Sequence, residues 1–556
     1  MNGTASVLVG TPVVPGAGYG PVIRPGARPV ASTRGADLPE ADREAEKARF
    51  RAAAEAVSDR LSGRAAAAQG AGAEVLRATA ALAADRGWLG AATGLIGAGS
   101  GAESAAASAT DQFVAVFTKM GGLMAERVTD LLDICDRVVA ELLGLPEPGI
   151  PTPTAPSVLL AHDLAPADTA GLDPDLVLGI ATTLGGPTSH TAIIARQLGI
   201  PCVVGVAGLD EIDTGTRVLV DGAAGRVEVE PAVEQAEAAV AGAAELRRRT
   251  ESWAGPGRTR DGHRVAVLAN VQDGAGARAA ATTAAEGVGL FRTELAFLDR
   301  DVEPSVDEQA RIYREVFDAF PGRKVVVRTL DAGSDKPLRF AGFADEPNPA
   351  LGVRGYRLAA EHPGMLERQL DAIARAARES EASVRVMAPM IATVAEAAQF
   401  AAAARARGLV PGVMVEVPAA ALLADRLLEH VDFLSLGTND LTQYTMAADR
   451  LSAPLAALSD PWQPAVLALV ARTATDGQRA GKAVGVCGEA AADPLLACVL
   501  TGFGVTSLSM AATAVAATGS ALADVDLDRC RRAAEATLDA PDPQSARRRA
   551  ADILQG

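Results

Sequence analysis

Gly287-Val288-Gly289-Leu290-Phe291-Arg292 and, further on, Lys324-Val325-Val326-Val327-Arg328 are each a short β-branched or apolar run closed by an arginine. One such run is only a buried strand candidate. From residue 263 onward the pattern repeats, with candidate strands at 263–271, 287–293, 323–331, 383–390, 410–418, 432–438, 483–488 and 505–510, most of them separated by longer helical stretches. That many strand–helix units in about 250 residues is the expectation for a (β/α)8 barrel. Polar residues recur at the ends of these runs: Arg292, Arg328, Asp331, Glu416, Asn439, Asp440, Cys487 and Glu489. Scattered charges would not fall so regularly after apolar runs. In a barrel they meet at the C-terminal mouth, where chemistry is placed.

Upstream, strand-like pieces at 157–161, 176–180, 202–205 and 217–220 alternate with helical ones, predicting a small α/β domain. It presents Gly185-Gly186-Pro187-Thr188-Ser189-His190, followed by the apolar helical run Thr191–Arg196. Paired glycines permit close backbone approach to a ligand, and Thr188 and Ser189 are helix-start residues. His190 then sits where orphan amides favour an anion, so its imidazole could accept a phosphoryl group. Taken alone, the hexapeptide reads first as a capped helix with an incidental histidine.

Gly- and Pro-punctuated strands at 6–30 are expected to join this domain. Between them and residue 146 lie helical stretches: 40–62 with Phe50, Ala54, Val57 and Leu61 on one face, about 72–90, and about 104–143. The last carries Phe113, Phe117, Met120, Met124, Val128, Leu131 and Leu142, with a kink expected at Gly121-Gly122. Such a stripe reads first as the core of an inserted helical bundle. The expected boundaries are 1–33 with 146–230 for the α/β domain, 34–145 for the bundle, 231–260 for a helical linker, 261–535 for the barrel, and 536–556 for a solvated or loosely packed tail.

At 556 residues and a formal charge of −17, the chain holds several domains and does not offer a nucleic-acid surface. Cys135, Cys202, Cys487, Cys498 and Cys530 are scattered, reading as reduced thiols of a cytoplasmic protein. No long apolar run reads as a membrane span. His162, His263, His362 and His430 lack the context of His190 and read as surface or structural residues.

The blocks Gly185–Ala192, Gly287–Glu294, Val327–Asp331, Asn348–Gly352, Gly412–Glu416, Gly437–Tyr444 and Cys487–Glu489 resemble enzyme I of the bacterial phosphoenolpyruvate:sugar phosphotransferase system, over essentially the whole chain. The resemblance implies an α/β phosphohistidine domain with an inserted helical subdomain for the phosphocarrier protein HPr, then a (β/α)8 barrel that binds phosphoenolpyruvate and dimerises. His190 would take the phosphoryl group, pyruvate would leave, and HPr would receive the group. Arg292, Arg328 and Arg450 match phosphate-binding positions, suited by bidentate guanidinium geometry. Asn439 would hydrogen-bond substrate, and Lys336 is an extra cation. Glu416 and Asp440 match ligands of Mg2+, a hard ion that takes oxygen donors. Cys487, read from its residue type as a small apolar core side chain, becomes the proton donor to enolpyruvate through this match.

Two positions depart from the family pattern: Pro187 stands where arginine is common, and Leu132 where a charge is common. A phosphoenolpyruvate synthase- or dikinase-like enzyme is the alternative, expected to carry an ATP-binding domain ahead of the histidine. A non-catalytic regulatory phosphocarrier is another, expected to show eroded barrel residues.

Overall fold

In the computed structural model, residues 6–26, 29, 38–67, 71–120, 127–151, 153–164, 168, 172–186, 189–298, 300–333, 338–341, 346–450 and 452–556 are described. The chain divides into two compact units, 1–247 and 248–556.

In the first unit, short strands rich in Val, Leu and Ile build one eight-stranded sheet. They are β1 (Ser6–Val9), β2 (Thr11–Val14), β3 (Ala17–Ile23), β4 (Ser157–Ala161), β5 (Val177–Thr182), β6 (Cys202–Val204), β7 (Arg217–Asp221) and β8 (Arg226–Val229). Their spatial order is β1-β8-β7-β3-β4-β5-β6-β2. β3 through β6 run parallel, and β1, β8, β7 and β2 pair antiparallel with their neighbours. The two edge strands are consecutive in the chain with only Gly10 between them, so the sheet must curl until its edges nearly meet. A side chain at Gly10 would lie 2.7 Å from the Val204 carbonyl oxygen.

Between β3 and β4 the chain makes the helices α1 (Arg43–Ala67), α2 (Ala71–Ala83), α3 (Arg86–Gly97), α4 (Ala102–Met120) and α5 (Val128–Leu143). Phe50, Ala54, Val57 and Leu61 are buried with Trp88, Ile96 and Val138, as their spacing predicts. The long stripe beyond residue 104 is buried only in part: Leu131 is buried, and Phe113 and Leu142 pack on the same core. Phe113 and Phe117 are only half-buried, edge to face at 6.3 Å between ring centroids, and Val116 beside them is exposed. Gly121, Gly122 and Met124 lie outside the described residues. The sheet unit then carries α6 (His190–Leu198), and the linker is α7 (Val233–Ser252), inside which the division between the units falls.

The second unit is a closed parallel barrel of β9 (Ala266–Val271), β10 (Gly287–Arg292), β11 (Lys324–Arg328), β12 (Ser383–Ala388), β13 (Val410–Val415), β14 (Phe433–Leu436), β15 (Ala483–Val486) and β16 (Ser507–Met510). Strand side chains alternate between faces. Leu290, Val326, Met387, Met414, Phe433 and Cys487 form the core inside the barrel. Their neighbours, such as Val325, Val327, Val386 and Val413, pack outward against the helices. The inward face of β11 therefore reads Lys324, Val326, Arg328 from bottom to mouth.

The tail departs from expectation. Residues 543–555 form α11 (Pro543–Gln555), following α8 (Thr438–Met446), α9 (Pro494–Phe503) and α10 (Leu527–Leu538) in the chain. Ala546, Ala550 and Leu554 recur at spacings of four along α11 and are buried in the barrel unit's core. Asp542 caps the helix on the Ser545 amide at 2.7 Å. The basic run Arg547–Arg549 masked this amphipathic period in the sequence.

Candidate active site

Ser189 is extended, and its Oγ accepts the Ala192 amide at 3.3 Å, starting α6 with His190 as its first residue. Gly185 has φ +101°, a left-handed turn that glycine adopts freely. Ala192, Ile194 and Ala195 bury the inner face of α6, while Ile193 and Leu184 are exposed beside the histidine position. The helix start is thus capped as the sequence predicts. The His190 imidazole, Pro187 and Lys336 lie outside the described residues.

A buried ionic joint ties α5 to the sheet domain. Arg137 is fully buried and pairs with Asp133 at 2.8 Å, with Asp168 at 2.5 Å and with Glu147. Burial and the Asp133 charge push the Asp168 carboxyl up to about 6, against the pull of Arg137. Leu132, half-buried, is the neighbour of Asp133 on α5.

At the barrel mouth, the strand-end residues form one dense charge network. Arg328 pairs with Glu294 at 2.6 Å and Asp331 at 2.9 Å. Arg354 pairs with Asp331 at 2.8 Å and with Asp440 at 3.1 Å, and donates to the Tyr444 hydroxyl at 3.3 Å. Arg450 lies 3.6 Å from the other Asp440 oxygen. Arg292, at the end of β10, makes no ion pair or hydrogen bond among the described residues. It is an uncommitted cation of the mouth, half-buried and close enough to act on the Cys487 thiol.

Glu416 is fully buried; its Oε1 accepts the Met390 amide at 2.6 Å, and its Oε2 has no partner. Met390 holds a left-handed φ of +60°, strain that aims this amide at the carboxylate. Burial first, then the Asp331 and Asp440 charges, raise the Glu416 carboxyl to about 8. An unsatisfied acidic oxygen in a site with more acid nearby fits a hard cation. Among the described residues no group of three or more His, Cys, Asp or Glu side chains could hold a metal by themselves. Glu416 and Asp440 would need oxygens from a ligand.

Cys487 is buried on the inward face of the barrel, its Sγ 3.5 Å from the Leu436 carbonyl oxygen. Burial pushes the thiol up to about 11, so it stays protonated at neutral pH. Asn439 accepts the Glu489 amide at 2.9 Å, fastening the loop that follows Cys487.

The structure thus gathers Arg292, Arg328, Glu416, Asn439, Asp440, Arg450 and Cys487 at the mouth of one barrel. Sequence reading missed Arg354, which ends no β-run. It sits on the loop after β11, bridged to Gly333. Its trace was proximity, two residues beyond the Asn348–Gly352 block. Glu294, quoted but given no role, fixes Arg328.

Three family descriptions match in order: "PEP-utilising enzyme, N-terminal" over residues 9–127, "PEP-utilising enzyme, mobile domain" over 153–225, and "PEP-utilising enzyme, PEP-binding domain" over 247–527. All three describe enzymes that use phosphoenolpyruvate. A phosphoenolpyruvate-protein phosphotransferase of Streptomyces coelicolor is 51% identical, covering 93% of this chain and 94% of its own. Those of Haloferax volcanii (42%, covering 79% and 80%) and Bacillus subtilis (38%, covering 74% and 76%) are similar as well. The chain belongs to the phosphoenolpyruvate-protein phosphotransferase family, enzyme I of the phosphotransferase system.

Proposed function

We propose that the protein moves the phosphoryl group of phosphoenolpyruvate to His190 and then to a histidine of HPr, releasing pyruvate. The observation that carries this reading is the barrel mouth: an uncommitted Arg292 facing a buried, protonated Cys487 within a network of Arg328, Arg354 and Arg450. Arg292 would bind the phosphate bidentately, while Arg328, fixed by Glu294 and Asp331, adds positive charge where charge spreads over the phosphoryl oxygens. Asn439 and the loop it fastens would orient the substrate. A divalent cation, with Mg2+ our choice, would be held by Glu416 and Asp440 and would offset charge on phosphate and carboxylate oxygens.

His190 attacks phosphorus, the bridging P–O bond breaks, and its electron pair stays on the enolate oxygen. The enolate then takes the Cys487 proton at carbon to become pyruvate, and solvent returns a proton to the thiolate. Lys336 would add a further cation. We read α7 and the residues to 257 as the hinge on which His190 leaves the barrel for the carrier, since one imidazole face cannot hold donor and acceptor together. The half-covered Phe113 and Phe117 with exposed Val116 support α4 as part of the HPr-docking face. Dimerisation through the barrel and a cytoplasmic location belong to the same reading. No described helix is long and apolar enough to cross a membrane.

The test is incubation with radiolabelled phosphoenolpyruvate and Mg2+ for wild type, His190→Ala and Cys487→Ala. Wild type should carry acid-labile label and His190→Ala none. Unlabelled wild type sinks the proposal, and label surviving in His190→Ala moves the nucleophile elsewhere. Label that requires ATP instead would favour the dikinase-like alternative.

A further inference from the structure

The opposite end of the barrel carries two cations that pair with no carboxylate among the described residues. Lys324 opens β11 on the inward face, and Arg385 of β12 shares the inward face of Met387. The Arg385 guanidinium lies over the Phe433 ring at 5.9 Å from its centroid. Neither cation makes an ion pair or hydrogen bond among the described residues. Burial and, to a lesser degree, the Arg385 charge depress the Lys324 ammonium to about 8.

Lys324 lines a small cavity with Phe433, Ser435, Gly485, Ser507 and Ser509. Gly485 keeps it open: a side chain there would lie 2.5 Å from the Ser507 hydroxyl. Ser507 is a buried residue, and its hydroxyl, with no partner among the described residues, can donate inward. Room exists for about one water-sized occupant. A phosphate or carboxylate is too large, and a cation is repelled.

We propose that the bottom of the barrel is a binding site for a single monatomic anion of the chloride class, held by Lys324 Nζ and Ser507 Oγ. The site is separate from the catalytic mouth and independent of the reaction assigned there. A bound halide supplies the missing counter-charge, so it should stabilise the barrel.

Crystals of the full chain soaked in bromide, with anomalous data at the bromine edge, test the assignment directly. A peak between Lys324 and Ser507 is expected. In solution, bromide should raise the unfolding midpoint of the full chain above that in gluconate at equal ionic strength. Lys324→Met should abolish both effects, and Ser507→Ala should weaken them, with phosphoryl transfer unchanged. If Lys324→Met does not fold, the wild-type peak and Ser507→Ala decide. Absence of the peak, an equal bromide effect in the variants, or displacement of bromide by phosphate would each overturn the proposal.

Discussion

Arg292 and Arg354 are the same residue type at one barrel mouth, yet they answer to different pressures. Arg354 is locked between Asp331 and Asp440, so Arg354→Met takes a buried partner from two carboxylates, leaving Asp331 to Arg328 and Asp440 to Arg450, and should cost about 3 kcal/mol in urea unfolding. Arg292 makes no ion pair or hydrogen bond among the described residues. Arg292→Gln should leave the unfolding curve where it is and raise KM for phosphoenolpyruvate roughly 10- to 100-fold, the loss of about 1.5–3 kcal/mol of hydrogen bonding to a charged group. Equal destabilisation by the two would contradict the division of roles. Cys487→Ala should slow pyruvate formation roughly 10²- to 10⁴-fold as the loss of a general acid, read by coupled pyruvate assay. Residue identity at strand ends was open to sequence reading because apolar runs and their terminal charges are local. Whether an arginine there is spent on the protein or left for a ligand depends on Glu294, Asp331 and Asp440 arriving from other strands and loops, which no local pattern encodes.

At the scale of elements, α5 is tied to the sheet domain through Arg137, which pairs with Asp133 of its own helix and with Glu147 and Asp168 beyond it. The Asp168 carboxyl titrates near 6 when folded, above its ordinary 3.8, because burial and Asp133 outweigh Arg137 and Arg64. A raised folded value means the stability linked to this proton is full below about 4 and is lost as pH rises through about 6. Asp168→Asn should therefore flatten the fall in thermal midpoint between pH 4 and 6.5, measured on the full chain by circular dichroism; an unchanged slope would remove Asp168 from the linkage. The elements themselves were legible where the period was clean, as in the buried face of α1 and the eight barrel strands. The stripe over residues 113–142 reads as core, and the structure bears this out in part: Leu131 is buried and Phe113 and Leu142 pack on the bundle core, while Phe117 stays half-exposed beside an exposed Val116. One reading went astray for a physical reason: the tail reads as solvated because three arginines lie on a helix whose Ala546, Ala550 and Leu554 are buried.

The whole molecule is two units, each with its own core. Separate cores predict two transitions in calorimetry, with phosphoenolpyruvate and Mg2+ raising only the barrel's. At a hundredfold excess over Kd the gain is about 2.7 kcal/mol. A single transition that shifts as one would show that the units unfold together. The near-closed sheet of the first unit has a consequence for the order in which the chain is made. Ser6 pairs with Val229 and Thr11 with Val204, so the earliest strands wait for partners made near the end of this unit, while the helices of residues 43–143 can form from local contacts in between. Short strands interrupted by Gly10, Pro12, Gly18, Gly20 and Pro21 are poor templates for pairing with a neighbouring chain, and suit a segment that must stay unpaired on the ribosome. Ribosome-bound chains halted before β7 should thus show a protease-resistant bundle and a cleavable N-terminus, and the N-terminus should become protected only once β8 has left the exit tunnel.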